Sequence, residues 1–300
     1  GGTGSDRANA IAIDSTGRVY VTGYTVDDTT TDYPVTFGAY DETPNSVNAD
    51  IFISRFDAEL STLQKSTLIG GSDSNYVNAI AIDSTGRVYV TGYTTSTNYP
   101  VTSGAYDELH NGSSDVFISR FDAELSTLQK STLIGGTHAD SARAIAIDST
   151  GRVYVTGETY DYTTDYPTTS GAYDETHNGQ DDVFVSRFDA ELSTLQKSTL
   201  IGGSDYDRAY AIAIDSTGRV YVTGYTHGII PDYPITPGAY DETHNSIDAD
   251  VFVSLFDAEL SLDSPTVPDA PTSLTATAIS SSEIELSWIE PNGTVTGYKI

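Results

Sequence analysis

The sequence predicts an all-β protein built from four copies of one β-propeller blade, and three observations carry that prediction. The string Ala-Ile-Ala-Ile-Asp-Ser-Thr-Gly-Arg-Val-Tyr-Val-Thr-Gly occurs four times unchanged, starting at Ala10, Ala79, Ala144 and Ala211, at spacings of 69, 65 and 67 residues. Each copy divides into four short runs rich in β-branched and aromatic residues, with no helical period. These runs carry bulk on both faces, whereas a sheet with one wet face alternates apolar and polar. Sheets covered on both sides by like sheets stack radially into a propeller.

Within the first copy, strand A is read as Ala10–Asp14, B as Arg18–Tyr24, C as Ile51–Phe56 and D as about Leu63–Ile69. Asp14-Ser15-Thr16-Gly17 joins A to B, and the turn recurs at Asp83, Asp148 and Asp215. An Asp at the first place of a tight turn caps its amides, and a Gly at the fourth tolerates positive φ. On strand C, Phe52 and Phe56 point one way and Ile51 and Ile53 the other; on strand B, Val19 and Val21 oppose Tyr20 and Tyr24. Small Ala10 and Ala12 suit a crowded axis. Length differences fall in polar segments such as Val26–Asp32, because loops absorb insertions and strands do not. A β-helix would repeat at about half this length or less, and tandem immunoglobulin-like domains need about 100 residues each. The blades are placed at about 10–71, 79–136, 144–203 and 211–260, within a propeller region 1–262.

The linked motifs Asp14-Ser15-Thr16-Gly17-Arg18-Val19-Tyr20-Val21-Thr22-Gly23, Tyr33-Pro34, Gly38-Ala39-Tyr40, Asp50-Ile51-Phe52-Ile53 and Ile69-Gly70-Gly71 resemble the bacterial SBBP-type β-propeller repeat. The resemblance covers roughly Gly1 to Leu260. It implies the fold and a secreted bacterial setting, and it assigns no activity.

The fourth copy lacks a strand D: Asp257-Ala258-Glu259-Leu260 runs into Ser261-Leu262-Asp263-Ser264-Pro265. Gly1-Gly2 reads as the tail of a strand D whose body lies upstream. An N-terminal strand completing the last blade would remove an exposed edge, and further blades are expected upstream. Residues 263–270 read as a Pro-rich linker. Pro268-Asp269-Ala270-Pro271, then Leu274, Ile284, Leu286, Trp288, Gly297 and Tyr298, resemble the opening of a fibronectin type III domain, so 271–300 is read as its N-terminal part. That resemblance implies Trp288 as a core residue. A complete sandwich of this type needs about seven strands.

Net charge is −29 with pI about 4.1, and there is no Cys or Met. Such acidity argues against nucleic acid and against charge-driven binding to anionic lipid. Without Cys there are no disulfides, thiol catalysis or Cys-based zinc sites. No apolar run approaches the roughly 18 residues of a membrane helix.

The carboxylate pairs Asp41-Glu42, Asp107-Glu108, Asp174-Glu175 and Asp241-Glu242 have the composition of a glycosidase site. They repeat once per blade, whereas an acid and a base need different environments. They are read as structural or solvated. The Asp-Ser-Thr-Gly turn differs from the Asp-box of sialidases by one residue in its Asp-to-Gly spacing, so that chemistry is not carried over. His110, His177 and His244 sit in matching loops, where copy 1 has Pro44; they are read as polar loop residues, with metal binding the alternative. Calcium is kept open, with Asp27, Asp28 and Asp32 or Asp181 and Asp182 as candidates, although no Asp-x-Asp-x-Asp-Gly loop occurs. Tyr33, Tyr99, Tyr166 and Tyr233 are read as packing beneath the B–C connection rather than as exposed platforms for sugars. Arg55, Arg120 and Arg187 are expected to pair with acids of the adjacent blade, whereas the fourth copy has Leu255. No catalytic, cofactor or metal residue is assigned. The expectation is a non-enzymatic, extracellular or cell-surface scaffold for a protein or glycan ligand, with the propeller part of a carbohydrate-active enzyme as the alternative.

Overall fold

The computed structural model describes residues 1–26, 33–46, 48–160, 165–228, 232–245 and 248–261, and the backbone of 272–280 and 283–289. The chain forms two compact units, Gly1–Leu262 and Asp263–Ile300. In the first, β1 (Ser5–Ile13), β2 (Val19–Val26), β3 (Asp50–Phe56) and β4 (Leu63–Ile69) pair in chain order as an antiparallel sheet. The second blade is β5 (Asn75–Ile82), β6 (Val88–Thr94), β7 (Asp115–Phe121) and β8 (Leu128–Ile134). The third is β9 (Ala139–Ile147), β10 (Val153–Tyr160), β11 (Asp181–Phe188) and β12 (Leu195–Ile201). The fourth has three strands, β13 (Asp207–Ile214), β14 (Val220–His227) and β15 (Ala249–Phe256). In the second unit β16 (Thr272–Ser280) and β17 (Glu283–Ile289) form an antiparallel pair, with Ala276 opposite Leu286. Asp27, Asp28, Asp32 and the 263–270 linker lie outside the described residues, as do Pro271, Gly297 and Tyr298.

Blades 2 and 3 each bury one face on the predecessor and the other on the successor, and blades 1 and 4 take part in one junction each. Tyr20, Ile51, Ile53 and Ile69 of blade 1 share a core with Val88, Val90, Phe117, Phe121, Leu125 and Leu133 of blade 2. The same positions recur one junction on, where Tyr89, Val116, Ile118 and Ile134 meet Val153, Val155, Phe184, Phe188, Leu192 and Leu200. At the third junction Tyr154, Val183, Val185 and Ile201 meet Val220, Val222, Phe252, Phe256 and Leu260. The two-sided burial read from the strands is therefore the organising interaction.

Strand A departs from expectation in two ways. It begins at Ser5 rather than Ala10, because a β-bulge displaces Asn9 and hides the start of the strand from a period-two reading. The bulge recurs at Asn78, Arg143 and Tyr210. It brings the partner backbone so close that a Cβ on Gly23, Gly92, Gly157 or Gly224 would overlap a carbonyl oxygen, which explains the invariant Val-Thr-Gly. Second, its crowding is uneven: in this edge strand, paired on one side only, Ala79, Ala81, Ile80 and Ile82 are half-buried in blade 2, whereas Ala142, Ala144 and Ile145 are buried in blade 3.

The Asp-Ala-Glu-Leu turn after strand C places Leu60, Leu125, Leu192 and Leu260 at φ of 56°, 51°, 51° and 56°. Left-handed backbone costs a non-glycine residue roughly 1–2 kcal/mol. Leu125, Leu192 and Leu260 are 0–1% exposed against the preceding blade, whereas Leu60 is 63% exposed. Replacing Leu125 by Ala is expected to cost about 2–5 kcal/mol. The same change at Leu60 should fall within about 0.5 kcal/mol. Both alanines keep the same φ, so urea unfolding of the two variants isolates blade-to-blade burial; equal losses would contradict it.

Candidate functional site

The A–B turn is clamped as its sequence indicates. Asp14 Oδ1 accepts from Thr16 N (2.8 Å), Thr16 Oγ1 (2.7 Å) and Arg18 N (3.1 Å), and Gly17 has φ of 85°. Arg18 closes the clamp by donating its Nε to Asp14 Oδ2 at 2.6 Å. Burial alone would raise the Asp14 carboxyl, but the bonds from Thr16 and Arg18 outweigh it and hold the group below the usual carboxylate range.

Arg55, Arg120 and Arg187 each cross to the next blade. Arg55 Nη2 lies 3.1 Å from Glu124, Arg120 Nη1 3.3 Å from Glu191, and Arg187 Nη1 3.5 Å from Glu259. Each also donates to a backbone carbonyl in the same turn, that of Ala123, Ala190 or Ala258.

The repeated carboxylate pairs are loop fasteners. Glu42 Oε1 accepts from Gly38 N at 2.8 Å, and Asp41 takes Thr43 N at 2.9 Å and Asn45 Nδ2 at 2.6 Å. Glu108, Glu175 and Glu242 repeat the first bond to Gly104, Gly171 and Gly238, each at 2.7 Å. His110 and His177 bond through Nε2 to the carbonyls of Thr94 and Thr159 in their own blades, and His244 Nδ1 lies 3.6 Å from Asp250. Tyr99, Tyr166 and Tyr233 are buried and stack on Phe117, Phe184 and Phe252 with ring centroids 4.7, 4.7 and 4.8 Å apart. Their hydroxyls meet Ser119, Ser186 and Ser254 at 3.0–3.1 Å, so they pack beneath the B–C connection.

One region, to which the shared motifs do not point, breaks the fourfold identity. Around the bulges the copies read Arg7 and Asn9, then Tyr76 and Asn78, then Ser141 and Arg143, then Arg208 and Tyr210. The facing strand B position is Tyr24, Tyr93, Glu158 or Tyr225. These side chains form a row across the blades. Tyr24 meets Tyr76 edge-on at 4.8 Å, and Tyr76 stacks on Tyr93 at 5.1 Å. Arg143 Nε forks onto Glu158 at 2.8 and 3.0 Å, with electrostatic reach to Tyr93 and to Tyr210. Tyr210 lies 5.8 Å from Tyr225, and Arg208 Nε binds Asp181 at 2.6 Å. Burial pushes the Glu158 carboxyl up despite Arg143. Tyr210 is 52% exposed, and Tyr24, Tyr76, Tyr93 and Tyr225 are half-buried. Variation within an otherwise invariant repeat is the signal that could have found this row.

The geometry defines stacked antiparallel propeller blades, and comparison of sequences agrees. The SBBP β-propeller repeat matches residues 64–100, 129–162 and 196–231, and these three segments are repeats of that kind. No curated protein matches in sequence. Among solved structures, the phage phi92 endosialidase aligns with a TM-score of 0.45 at 11% identity, over 98% of this chain and 43% of its own. A Bacteroides caccae protein gives 0.37 at 9% identity, over 86% and 81%. A glucose dehydrogenase gives 0.27 at 11%, over 74% and 80%. This chain thus spans less than half of the endosialidase, and likenesses of this size say nothing about activity.

Buried aspartates at the blade junctions set the response to pH. Desolvation pushes Asp50 up to about 6, and Asp140, Asp182 and Asp207 up to about 7. A carboxyl raised on folding contributes stability fully below its unfolded value near 4, and loses it as pH rises through 6–7. The depressed Asp14 and Asp83 act oppositely and lose their contribution as pH falls below about 4. In chelator, Tm should therefore rise as pH falls from 7.5 to about 5 and drop again below about 4. A Tm that falls steadily from pH 7.5 downward would contradict this.

Proposed function

We propose that the chain is part of a non-catalytic, secreted or cell-surface β-propeller scaffold that holds a glycan or protein ligand along the row from Tyr24 to Tyr225. The observation that carries this reading is the location of the variation. The A–B turn, the Tyr-Pro anchor and the Gly-Ala-Tyr segment are the same in all four copies, whereas the bulge residues differ from blade to blade. Tyrosine and arginine offer apolar area with a polar edge, which suits the faces of sugars and the side chains of peptides. The repeated carboxylates are engaged by backbone amides, which supports a scaffold over a hydrolase.

Further blades belong to the same reading. Blade 4 exposes Tyr240 fully, Val251 at 79% and Val253 at 72%, although the matching Ile51, Ile53, Val116, Ile118, Val183 and Val185 are buried by a successor. Blade 1 exposes Ile11, Ile13 and Leu60 where a predecessor would lie. Additional blades would cover both faces, and an N-terminal strand would complete blade 4. The β16–β17 pair is read as the opening of a fibronectin type III sandwich.

The second reading is the propeller part of an extracellular carbohydrate-active enzyme. It draws on Glu158, a buried carboxyl that breaks the repeat symmetry.

A glycan array and a panel of extracellular matrix proteins, probed with the whole chain, provide the test. A ligand captured by the native chain should be lost by at least tenfold in affinity when Tyr76 and Tyr93 are both replaced by Ala. Undiminished binding by that variant would remove the row from the reading. Turnover of a captured glycan that is abolished in Glu158→Gln would favour the enzyme instead.

A further inference from the structure

The junctions between blades contain a second site that changes character along the chain. Where blade 1 meets blade 2, the Asn75 amide is a hub. Its Nδ2 donates to the carbonyls of Ala49 (3.1 Å), Gly71 (3.3 Å) and Asp73 (2.7 Å), and its Oδ1 accepts from Thr94 Oγ1 (2.7 Å). Next to it stands the buried Asp50, whose pKa is raised. One amide nitrogen thus serves three carbonyl oxygens beside a carboxylate.

Where blade 3 meets blade 4, the position of Asn75 is taken by Asp207, that of Asp50 by Asp182, and that of Asn98 by Asp232. The carbonyls of Asp181, Gly203 and Asp205 stand where those of Ala49, Gly71 and Asp73 stood. An ionised aspartate has no N–H to give them. Asp182 and Asp207 are both 0% exposed, and each leaves its Oδ1 without a hydrogen-bond partner. A Cβ placed on Gly202 would lie 2.5 Å from Asp182 Oδ1 and 3.0 Å from Asp207 Oδ2, so the two carboxylates flank one glycine. They are therefore no more than about 5.5 Å apart, near the span that one calcium ion with ligands at about 2.3–2.6 Å can bridge. A Cβ on Gly179 would lie 2.5 Å from both the Gly203 and the Asp205 carbonyl oxygen, so these two oxygens are close to each other, and the Asp205 carbonyl also takes the Gln180 amide at 3.0 Å. Arg208 does not compensate the pair, because its guanidinium is committed to Asp181. Asp232 holds Ser204 N at 2.9 Å at the mouth of the site.

We propose that a hard divalent cation of the calcium class binds between blades 3 and 4, held by Asp182 and Asp207 with the carbonyls of Gly203 and Asp205, in the place where Asn75 puts an amide nitrogen between blades 1 and 2. The donor set is all oxygen, which selects calcium over zinc or copper. Among the described residues no three His, Cys, Asp or Glu side chains converge, so backbone carbonyls and water complete the shell. The blade 2–3 junction carries Asp115 and Asp140, but there the Asn111 and Gly112 amides take both oxygens of Asp115, whereas at the 3–4 junction Asn178 N takes only Oδ2 of Asp182 and Gly203 N only Oδ2 of Asp207; the proposal is confined to the 3–4 junction.

The test is thermal unfolding of the whole chain at pH 7.5, in 5 mM calcium chloride and in chelator, at matched ionic strength. The native chain should gain several degrees in Tm with calcium. Asp207→Asn should fold, because Asn75 shows that this frame accepts the amide, and it should lose the calcium increment while matching or exceeding the native chain in chelator. Equal increments in both proteins would mean that calcium only screens the −29 charge, and would overturn the proposal. So would a native chain indifferent to calcium and stabilised only by acidification, because protons would then satisfy the pair.

Discussion

Everything in this fold depends on a sheet whose two faces must both be covered by other sheets. The Asp-Ala-Glu-Leu turn shows how the balance is struck. A leucine in left-handed backbone is unfavourable by roughly 1–2 kcal/mol, and full burial of a leucine side chain returns about 1.5–3 kcal/mol. Where a neighbouring blade receives the side chain, its burial therefore offsets the backbone cost. Leu125, Leu192 and Leu260 meet that condition, and Leu60 has the same backbone without the burial. Each blade is in this sense a half-site for the next, which is why near-identical copying is an economical way to build the array.

The arginines of strand C add a directional contact to the apolar burial between blades. Arg55, Arg120 and Arg187 have side chains only 5–6% exposed, while their glutamate partners are more than half exposed. A buried guanidinium facing a solvated carboxylate gains little net stability. Its five donors in a rigid fork do set register, since a carbonyl and a carboxylate of the same turn must both be met. Leu255 removes this fork from the trailing face of blade 4. Blade 4 thus lacks the cross-blade guanidinium that the other three present on this face.

Much of this was legible in the sequence, for reasons that can be named. Strands B, C and D appear as bulky runs because their side chains reach two neighbours. The Asp-Ser-Thr-Gly turn appears because its chemistry is local, and the inter-blade arginines because they repeat with one exception. Strand A was cut short because a bulge at Asn9 interrupts the alternation that marks a strand. The conformation of Leu60 and its copies leaves no mark in the apolar pattern, because the turn is closed locally by Asp57, which takes Ser61 N at 2.7 Å, and Leu60 holds the same φ where no blade covers it. The row around Tyr76, Arg143 and Glu158 is marked in the sequence only by its departure from the repeat, not by any motif of its own.

That last point bears on where function can reside in such an array. Residues that touch another blade are constrained by the partner copy, and a change in one must be matched in the other. The bulge residues of strand A lie at a sheet edge, where Asn9 and Asn78 reach the next blade only at the Val77 and Ala142 backbone carbonyls, which any sequence supplies, and there the four copies diverge into Asn, Asn, Arg and Tyr. The junction positions Asn75, Asp140 and Asp207 are the instructive exception. They are buried between blades and still differ, so the difference must be compensated by something other than the opposing blade, whose aspartate is present at all three junctions. An amide supplies its own donors, whereas a carboxylate in the same place needs a proton or a cation from outside. The repeat therefore separates two kinds of divergence, one at a sheet edge that meets the next blade through backbone carbonyls, and one buried at a junction, where a carboxylate in place of the amide calls for a proton or a cation.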